Sequence, residues 1–597
     1  MTTQSAWRTG FSRGGFCAFG TMMLLSMSLC PAASAVVTFS ATAALNTTAT
    51  TDSGADQLPQ LATDGAGTWV AVWQSNDSMG GTVGTDYDAM VARSTNNGST
   101  WTAASPLNSN AGTDSGDDTN AHVATDGQGT WIAVWSSYDT LNGTIGADRD
   151  ILFSKSTNGG ATWTAAAALN TNAATDFGHD KTPRIAVSGQ GTWVVVWESG
   201  DSLGGTIGWD SDIVAARSTN GGVAWSAPSP VNSNAASDSG FDGSPDVAGD
   251  ATESCVVVWR SNTDIQGIGA DSDILVTRSS DGGASWSALA PLNSNAYTDT
   301  ANDYAPRLKT DGAGTWFTVW HSFENLGGML GNDADIFMSR SADSGASWTT
   351  VAALNTNAAA DSGADQYPDL APDFSGGWLV VWWSDENLGG VTGTDADILV
   401  ASSWNNGETW LAPTALNANA HLDSGLDQNP VILTDGNAKW IAAWQSDEPV
   451  PFGADEDILA SVGTGGEGEG EGEGEGEVSE GCVTSGGLFL LGWDLCLAVP
   501  GPVAPGSTYD WWKDGVQLSD DSHVTGSASR ELMIWGLTED DEATYTCYYD
   551  DGSKAPAQFE ITVNVTDEVP VAGVAALTLL AAASGLGGAL AVRRRRR

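Results

Sequence analysis

The sequence predicts an all-β protein: a seven-bladed β-propeller of four-stranded blades, followed by a smaller β domain and one C-terminal transmembrane helix. Three observations carry this. The run Thr68-Trp69-Val70-Ala71-Val72-Trp73 returns six more times, its second tryptophan recurring as Trp73, Trp135, Trp197, Trp259, Trp320, Trp382 and Trp444, at subtracted spacings of 62, 62, 62, 61, 62 and 62. A period that regular marks a repeat architecture. Around each run lie three more strand-like pieces, in the first copy Leu58 to Thr63, Ala89 to Ser94 and Trp101 to Leu107, and four short strands per repeat is the pattern of a propeller blade. Finally, the seventh copy lacks a fourth strand, and a matching segment stands at the other end of the chain.

In chain order, residues 1–35 read as a secretory signal. Arg8 and Arg13 supply the positive region, Phe16 to Leu29 the apolar one, and Ala33-Ser34-Ala35 the cleavage site. Val37 to Asn46 follows and aligns with Trp101 to Asn108, with Phe39 in the tryptophan's place. It is expected to complete the last blade and remove two exposed sheet edges.

The tryptophan strand explains why blades must stack. Trp69, Ala71 and Trp73 share one face and Val70 and Val72 the other, so both faces are apolar and both need covering. Cys255 takes the first tryptophan's place in the fourth copy and is expected to be buried filler. Between the third and fourth strands runs a turn such as Ser94-Thr-Asn96-Asn-Gly98-Ser-Thr-Trp101, repeated from Ser156, Ser218, Ser279, Ser341 and Ser403. An Asp or Asn side chain can bond the turn backbone, the glycine permits positive φ, and the tryptophan plugs the core. This turn resembles the Asp-box, or BNR repeat, of the sialidase-like propeller superfamily, over roughly residues 37 to 463. The resemblance implies the propeller fold, with the boxes on the face away from the active site.

The propeller is expected over 36–463. Gly/Glu alternation over 464–480 buries nothing, repels itself and predicts a disordered spacer. Residues 481–567 return to globular composition. Cys496, Trp512 and Asp541-Glu-Ala-Thr-Tyr545-Thr-Cys547 resemble an immunoglobulin-like β-sandwich, which implies a Cys496–Cys547 disulfide against the Trp512 ring and Tyr545 as a tyrosine corner. Cys482 is left over. In the tail, 568–597, Val569 to Val592 is about long enough to span a bilayer, and Arg593 to Arg597 should stay cytoplasmic. The apolar helix and terminal arginines resemble a PEP-CTERM sorting signal, though the Pro-Glu-Pro core is absent; a plain single-span anchor is the other reading. Either way the protein is expected outside the inner membrane, held at the cell surface or outer envelope by its C-terminal helix, as a monomer.

A net charge of −52 excludes a nucleic-acid partner, whose phosphates would be repelled. Much of that charge repeats. One motif, Asp-x-Gly-x-Asp, gives Asp52/Asp56, Asp114/Asp118, Asp176/Asp180, Asp238/Asp242, Asp361/Asp365 and Asp423/Asp427, with Asp299/Asp303 lacking the glycine. The other, Asp-x-Asp, gives Asp86/Asp88, Asp148/Asp150, Asp210/Asp212, Asp271/Asp273, Asp333/Asp335, Asp395/Asp397 and Asp455/Asp457. Strand order puts both on one rim. Crowded like charges need neutralising, and hard oxygen ligands on a glycine-bearing loop suit Ca²⁺. The alternative is that these aspartates cap turns.

Catalytic signals are sparse. The sialidase-like resemblance implies three arginines, a Tyr–Glu pair and an aspartic acid. The one set to be assembled is Arg184, Arg307 and Arg260, with Tyr304 or Tyr367 and Glu198 or Glu324. No motif ties them together, and the five histidines show no metal-ligand spacing. The near-identity of the repeats favours a surface-displayed binding protein that takes a glycan or a surface protein with help from Ca²⁺, over a sialidase-type glycoside hydrolase.

Overall fold

A computed structural model describes residues 37–465, apart from 190, 394, 418, 422–423 and 449–454, together with separate strands between 487 and 566. The signal, the Gly/Glu spacer, Cys482 and the C-terminal helix lie outside the described residues. The chain divides into two units, Met1–Gly468 and Glu469–Arg597.

In the first unit, Asp56–Thr63, Trp69–Ser75, Asp88–Ser94 and Ser105–Pro106 pair in that order as one antiparallel sheet. Six further sheets repeat it, their inner strands starting at Asp118, Asp180, Asp242, Asp303, Asp365 and Asp427; they are called sheets 1 to 7 below. Each inner strand packs on the next, and that of sheet 7 packs on that of sheet 1. The N-terminal strand is where the sequence puts it: Val37–Phe39 and Ala43–Ala44 pair with Asp457–Gly465, the third strand of sheet 7. That third strand runs to Gly465, two residues past the expected boundary.

The tryptophan strand is covered on both faces, as its pattern requires. Trp69, Ala71 and Trp73 pack with Leu45, Ile441 and Ile458 of sheet 7, while Val70 and Val72 pack with Trp131 and Trp135 of sheet 2. Cys255 is fully buried in the corresponding core, where burial pushes its thiol up to about 11 and leaves it protonated. The outer strands are shorter than expected: two residues pair rather than the whole of Trp101 to Leu107. At Thr102 the pairing is only half backbone: its amide donates to the Arg93 carbonyl at 2.9 Å, but its hydroxyl rather than its carbonyl accepts the Arg93 amide, at 3.0 Å. In the box turn, Ser94 Oγ accepts from Gly98 N and Asn96 Oδ1 from Thr100 N, each at 3.0 Å. Gly98 has φ 76°, and a side chain there would strike Ile441 of the preceding sheet.

The second unit has a five-stranded sheet that includes Thr508–Lys513 and Ala543–Asp550, and a three-stranded sheet that includes Leu495–Ala498. Cys496 and Cys547 therefore sit in different sheets. No disulfide is found among the described residues, and the Cys496 side chain lies outside them. Here one reading is corrected. Trp511, not Trp512, is fully buried, because Trp511 pairs directly with Cys547 and strand alternation turns Trp512 to the other face. Tyr545, two residues before Cys547, is fully buried on that same face.

Candidate functional site

Both acidic motifs open on the same rim, since Asp56 at the start of the inner strand pairs with Ser75 and Ser75 with Asp88, while the box turns close the opposite ends. There the Asp-x-Asp pair of one sheet meets the first aspartate of the next. Asp86, Asp88 and Asp114 can each offer an oxygen within 4.8 Å of the others, and so can Asp148, Asp150 and Asp176; Asp210, Asp212 and Asp238; and Asp271, Asp273 and Asp299. Asp333, Asp335 and Asp361 interact in the same way. Across the closure the composition differs, since both aspartates of the longer motif, Asp52 and Asp56, meet Asp457. Asp395 and Asp397 belong to the junction whose Asp423 lies outside the described residues. The second aspartates of the longer motif, Asp118, Asp180, Asp242 and Asp365, are buried just behind.

Asparagines invisible to a search for charge organise each junction. Asn108 Nδ2 donates to Asp88 Oδ1 at 2.7 Å and Asp114 Oδ2 at 3.3 Å, and Asn232 bridges Asp212 and Asp242 at 2.8 Å each. The other oxygens, Asp86 Oδ2, Asp88 Oδ2 and Asp114 Oδ1, are buried without a donor. Burial above all, with the facing carboxylates adding to it, pushes Asp88, Asp150, Asp212, Asp273, Asp335 and Asp457 up to about 7. Such a group costs energy as a set of bare anions, and a hard cation or protons relieve it. The motif glycine has a steric purpose: a side chain at Gly54 or Gly178 would collide with the backbone of Asp77 or Asp201.

Inside the rim lies the mouth of the central channel. Every inner strand bulges there, and Leu58, Asn120, Thr182, Ser244, Ala305, Tyr367 and Asn429 all take φ between 48 and 56°. Left-handed backbone at a non-glycine costs on the order of 1 kcal/mol or more, and here it is repeated seven times around a cavity of about 210 Å³ lined by these same residues. In three sheets a side chain of the preceding sheet accepts the bulge amide. Leu58 N donates to Gln445 Oε1 at 3.1 Å, Asn120 N to Gln74 Oε1 at 3.2 Å and Tyr367 N to His321 Nδ1 at 3.3 Å.

That ring position is where the repeat breaks down. Sheets 7, 1 and 2 place Gln445, Gln74 and Ser136 there, whereas sheets 3, 4, 5 and 6 place Glu198, Arg260, His321 and Trp383. Glu198 is nearly buried and pairs with Lys181 at 3.4 Å. The Arg260 guanidinium lies 4.9 Å from the Phe241 ring and 5.0 Å from that of Tyr304, and His321 stacks on Tyr304 at 5.4 Å and leans on Tyr367 at 5.2 Å. Burial, then Arg260 and Arg307, lower His321 to about 3, so it is a neutral acceptor. Phe177 and Trp209, beside Asp176 and Asp210, are 86% and 77% exposed on the rim of sheet 3.

Of the assembled catalytic set, the structure brings Arg184, Arg307 and Tyr367 to one cavity. Arg184 and Arg307 donate to the carbonyls of Pro183 and Pro306, with Asp246 and Asp369 among the charges that act on Arg184. Burial, with Arg307 adding to it, lowers Arg184 to about 10. Arg260 and Tyr304 stack on each other instead, Glu198 is taken up by Lys181, and Glu324 acts on Asp299 at a junction.

No family model and no curated protein matches the chain. Among solved structures it is similar to a protein of unknown function from Dyadobacter fermentans, at 12% identity over 72% of this chain and 99% of that one, with a TM-score of 0.40. The Hadza microbial sialidase Hz136 is similar at 14% over 66% and 76%, TM-score 0.37, and the NanB sialidase from Streptococcus pneumoniae at 11% over 72% and 70%, TM-score 0.36. Likeness at this level does not extend to chemistry. On its own strand pairing and box turns, the chain is a sialidase-like β-propeller in fold.

Proposed function

We propose that this is an exported, surface-anchored binding protein: a seven-bladed propeller whose channel mouth takes a glycan. In this reading Ca²⁺ fills the acidic junctions, and an immunoglobulin-like domain with a Cys496–Cys547 disulfide connects the propeller to a membrane-spanning tail. The observation that carries it is the non-repeating arc of Lys181, Glu198, Arg260, Tyr304 and His321 beside the mouth, where the matching positions of sheets 7, 1 and 2 hold Gln and Ser and that of sheet 6 holds Trp383. Flat aromatic faces beside fixed charged donors and acceptors suit a sugar, which offers apolar ring faces and hydroxyls together. The exposed Phe177 and Trp209 extend the same side outward.

The test is a glycan array probed with the full chain in Ca²⁺ buffer. Arg260→Ala and Tyr304→Ala should each weaken binding by about tenfold or more, since each removes one partner of the stack that shapes the arc. A wild-type chain that captures surface protein but no glycan, or variants that bind unchanged, would sink the proposal. A second reading, a sialidase-type hydrolase, draws on Arg184, Arg307 and Tyr367 sharing one cavity. Release of a fluorogenic sialoside, lost on Arg184→Ala or Arg307→Ala, would reverse the ranking.

A further inference from the structure

We infer that the junction between sheet 7 and sheet 1 is a Ca²⁺ lock, a cation site that fastens the two ends of the propeller together and makes ring closure depend on the metal. The inference deepens the reading of the acidic junctions as cation sites and rests on it.

Asp52 and Asp56 come from the chain just after the N-terminal strand, and Asp457 begins the last strand of the repeat region; their carboxylates meet with oxygens within 4.8 Å of one another. Asn46 ties the group together. Its Nδ2 donates to Asp56 Oδ2 at 2.6 Å and to Asp457 Oδ1 at 2.8 Å, and its Oδ1 accepts the Ile458 amide at 3.2 Å. One oxygen of each of those two carboxylates is thereby satisfied. Of the remaining oxygens, Asp457 Oδ2 is buried without a donor, while Ser75 and Trp73 stand by the Asp56 carboxyl; Asp56 and Asp457 are only 3% and 1% exposed.

Buried oxygens on three carboxylates facing one another repel unless protons or a cation come between them. A cation there pairs with all three at once, and an all-oxygen set without His or Cys selects Ca²⁺ over zinc. Mg²⁺ fits less well, since it retains most of its own water.

The position distinguishes this junction from the rest. Within the ring, Asp86, Asp88 and Asp114 lie close in sequence and the chain itself holds their sheets adjacent. At the closure Asn46 and Asp457 are 411 positions apart, and nothing covalent keeps them together. Closing so long a loop is an entropic cost that non-covalent contacts alone must meet. A ligand that binds only the closed form adds RT ln(1 + [L]/Kd) to closure, so at roughly ten times Kd the closed form gains about tenfold.

Hydrogen exchange by mass spectrometry on the full chain, with Ca²⁺ alone as the probe and calorimetry in parallel, tests this. Ca²⁺ should slow exchange across residues 37–46, whose Leu45 amide bonds the Ile458 carbonyl at 2.7 Å, by about tenfold at ten times Kd. Asp52→Asn with Asp457→Asn should abolish that protection, while Asp86→Asn with Asp114→Asn should leave it intact. Ca²⁺ uptake by calorimetry without protection of 37–46 in the wild-type chain overturns the lock and spares the other junctions. Protection that survives in the Asp52/Asp457 variant also overturns it. No uptake at all removes the cation reading and the lock together.

Discussion

At Gly116 an added side chain would meet the backbone nitrogen of Asp139 at 2.5 Å, and Gly54 and Gly178 stand in the same relation to Asp77 and Asp201. The glycine of the acidic motif is therefore there because two rim loops touch. His321 departs from the repeat and also holds the Tyr367 bulge through its Nδ1. Its folded state is neutral, with burial lowering it to about 3 from an ordinary 6.5. Between those values the unfolded chain binds the extra proton and the folded chain does not, so His321 withdraws stability as pH falls below 6.5. From pH 7 to pH 4 the loss is on the order of 3 kcal/mol. The raised carboxylates work in the opposite direction, so the comparison is with His321→Gln, which can still accept the Tyr367 amide. Denaturant titrations at the two pH values should show the variant gaining relative to wild type at pH 4; parallel losses would contradict the assignment.

Among elements, the N-terminal strand carries more than its length suggests. Leu45 is fully buried in the core shared by sheets 7 and 1, and Asn46 reaches both sides of the closure. Deleting residues 36–46 removes that side chain, for which truncation alone costs about 2–5 kcal/mol, and exposes two sheet edges. A fall in Tm of at least about 5 °C is expected in scanning calorimetry, and an unchanged Tm would argue against closure by this strand. The box turns act at the opposite rim as rigid links. The Ser347 hydroxyl and amide hold the Asp343 carboxyl down to about 2, so that this turn stays intact through most of the acid range.

For the whole molecule, charge is the dominant field. With a net charge of −52 and many of its aspartates drawn to one rim, the metal-free chain should repel itself. Raising NaCl from 0.1 to 1 M shortens the screening length from about 10 Å to about 3 Å. Thermal melts of the chelated chain should therefore rise by several degrees over that range, and those of the Ca²⁺-saturated chain by much less. Equal salt responses in both would mean that the rim charges are not neutralised by metal.

The sequence by itself determined the repeat, the seven tryptophan strands, the box turns, the N-terminal segment that joins the last sheet and the placing of both acidic motifs on one rim. All of these follow from local period and strand order, which the chain carries covalently. Only the tertiary structure decided that Asn46 and Asn108 bridge the acidic junctions, that Trp511 rather than Trp512 faces the core of its domain, and that Arg260 lies between Phe241 and Tyr304. Those contacts join residues from different strands and loops, and the one from Asn46 to Asp457 spans 411 positions. No periodicity announces them, because their geometry exists only once neighbouring sheets have packed.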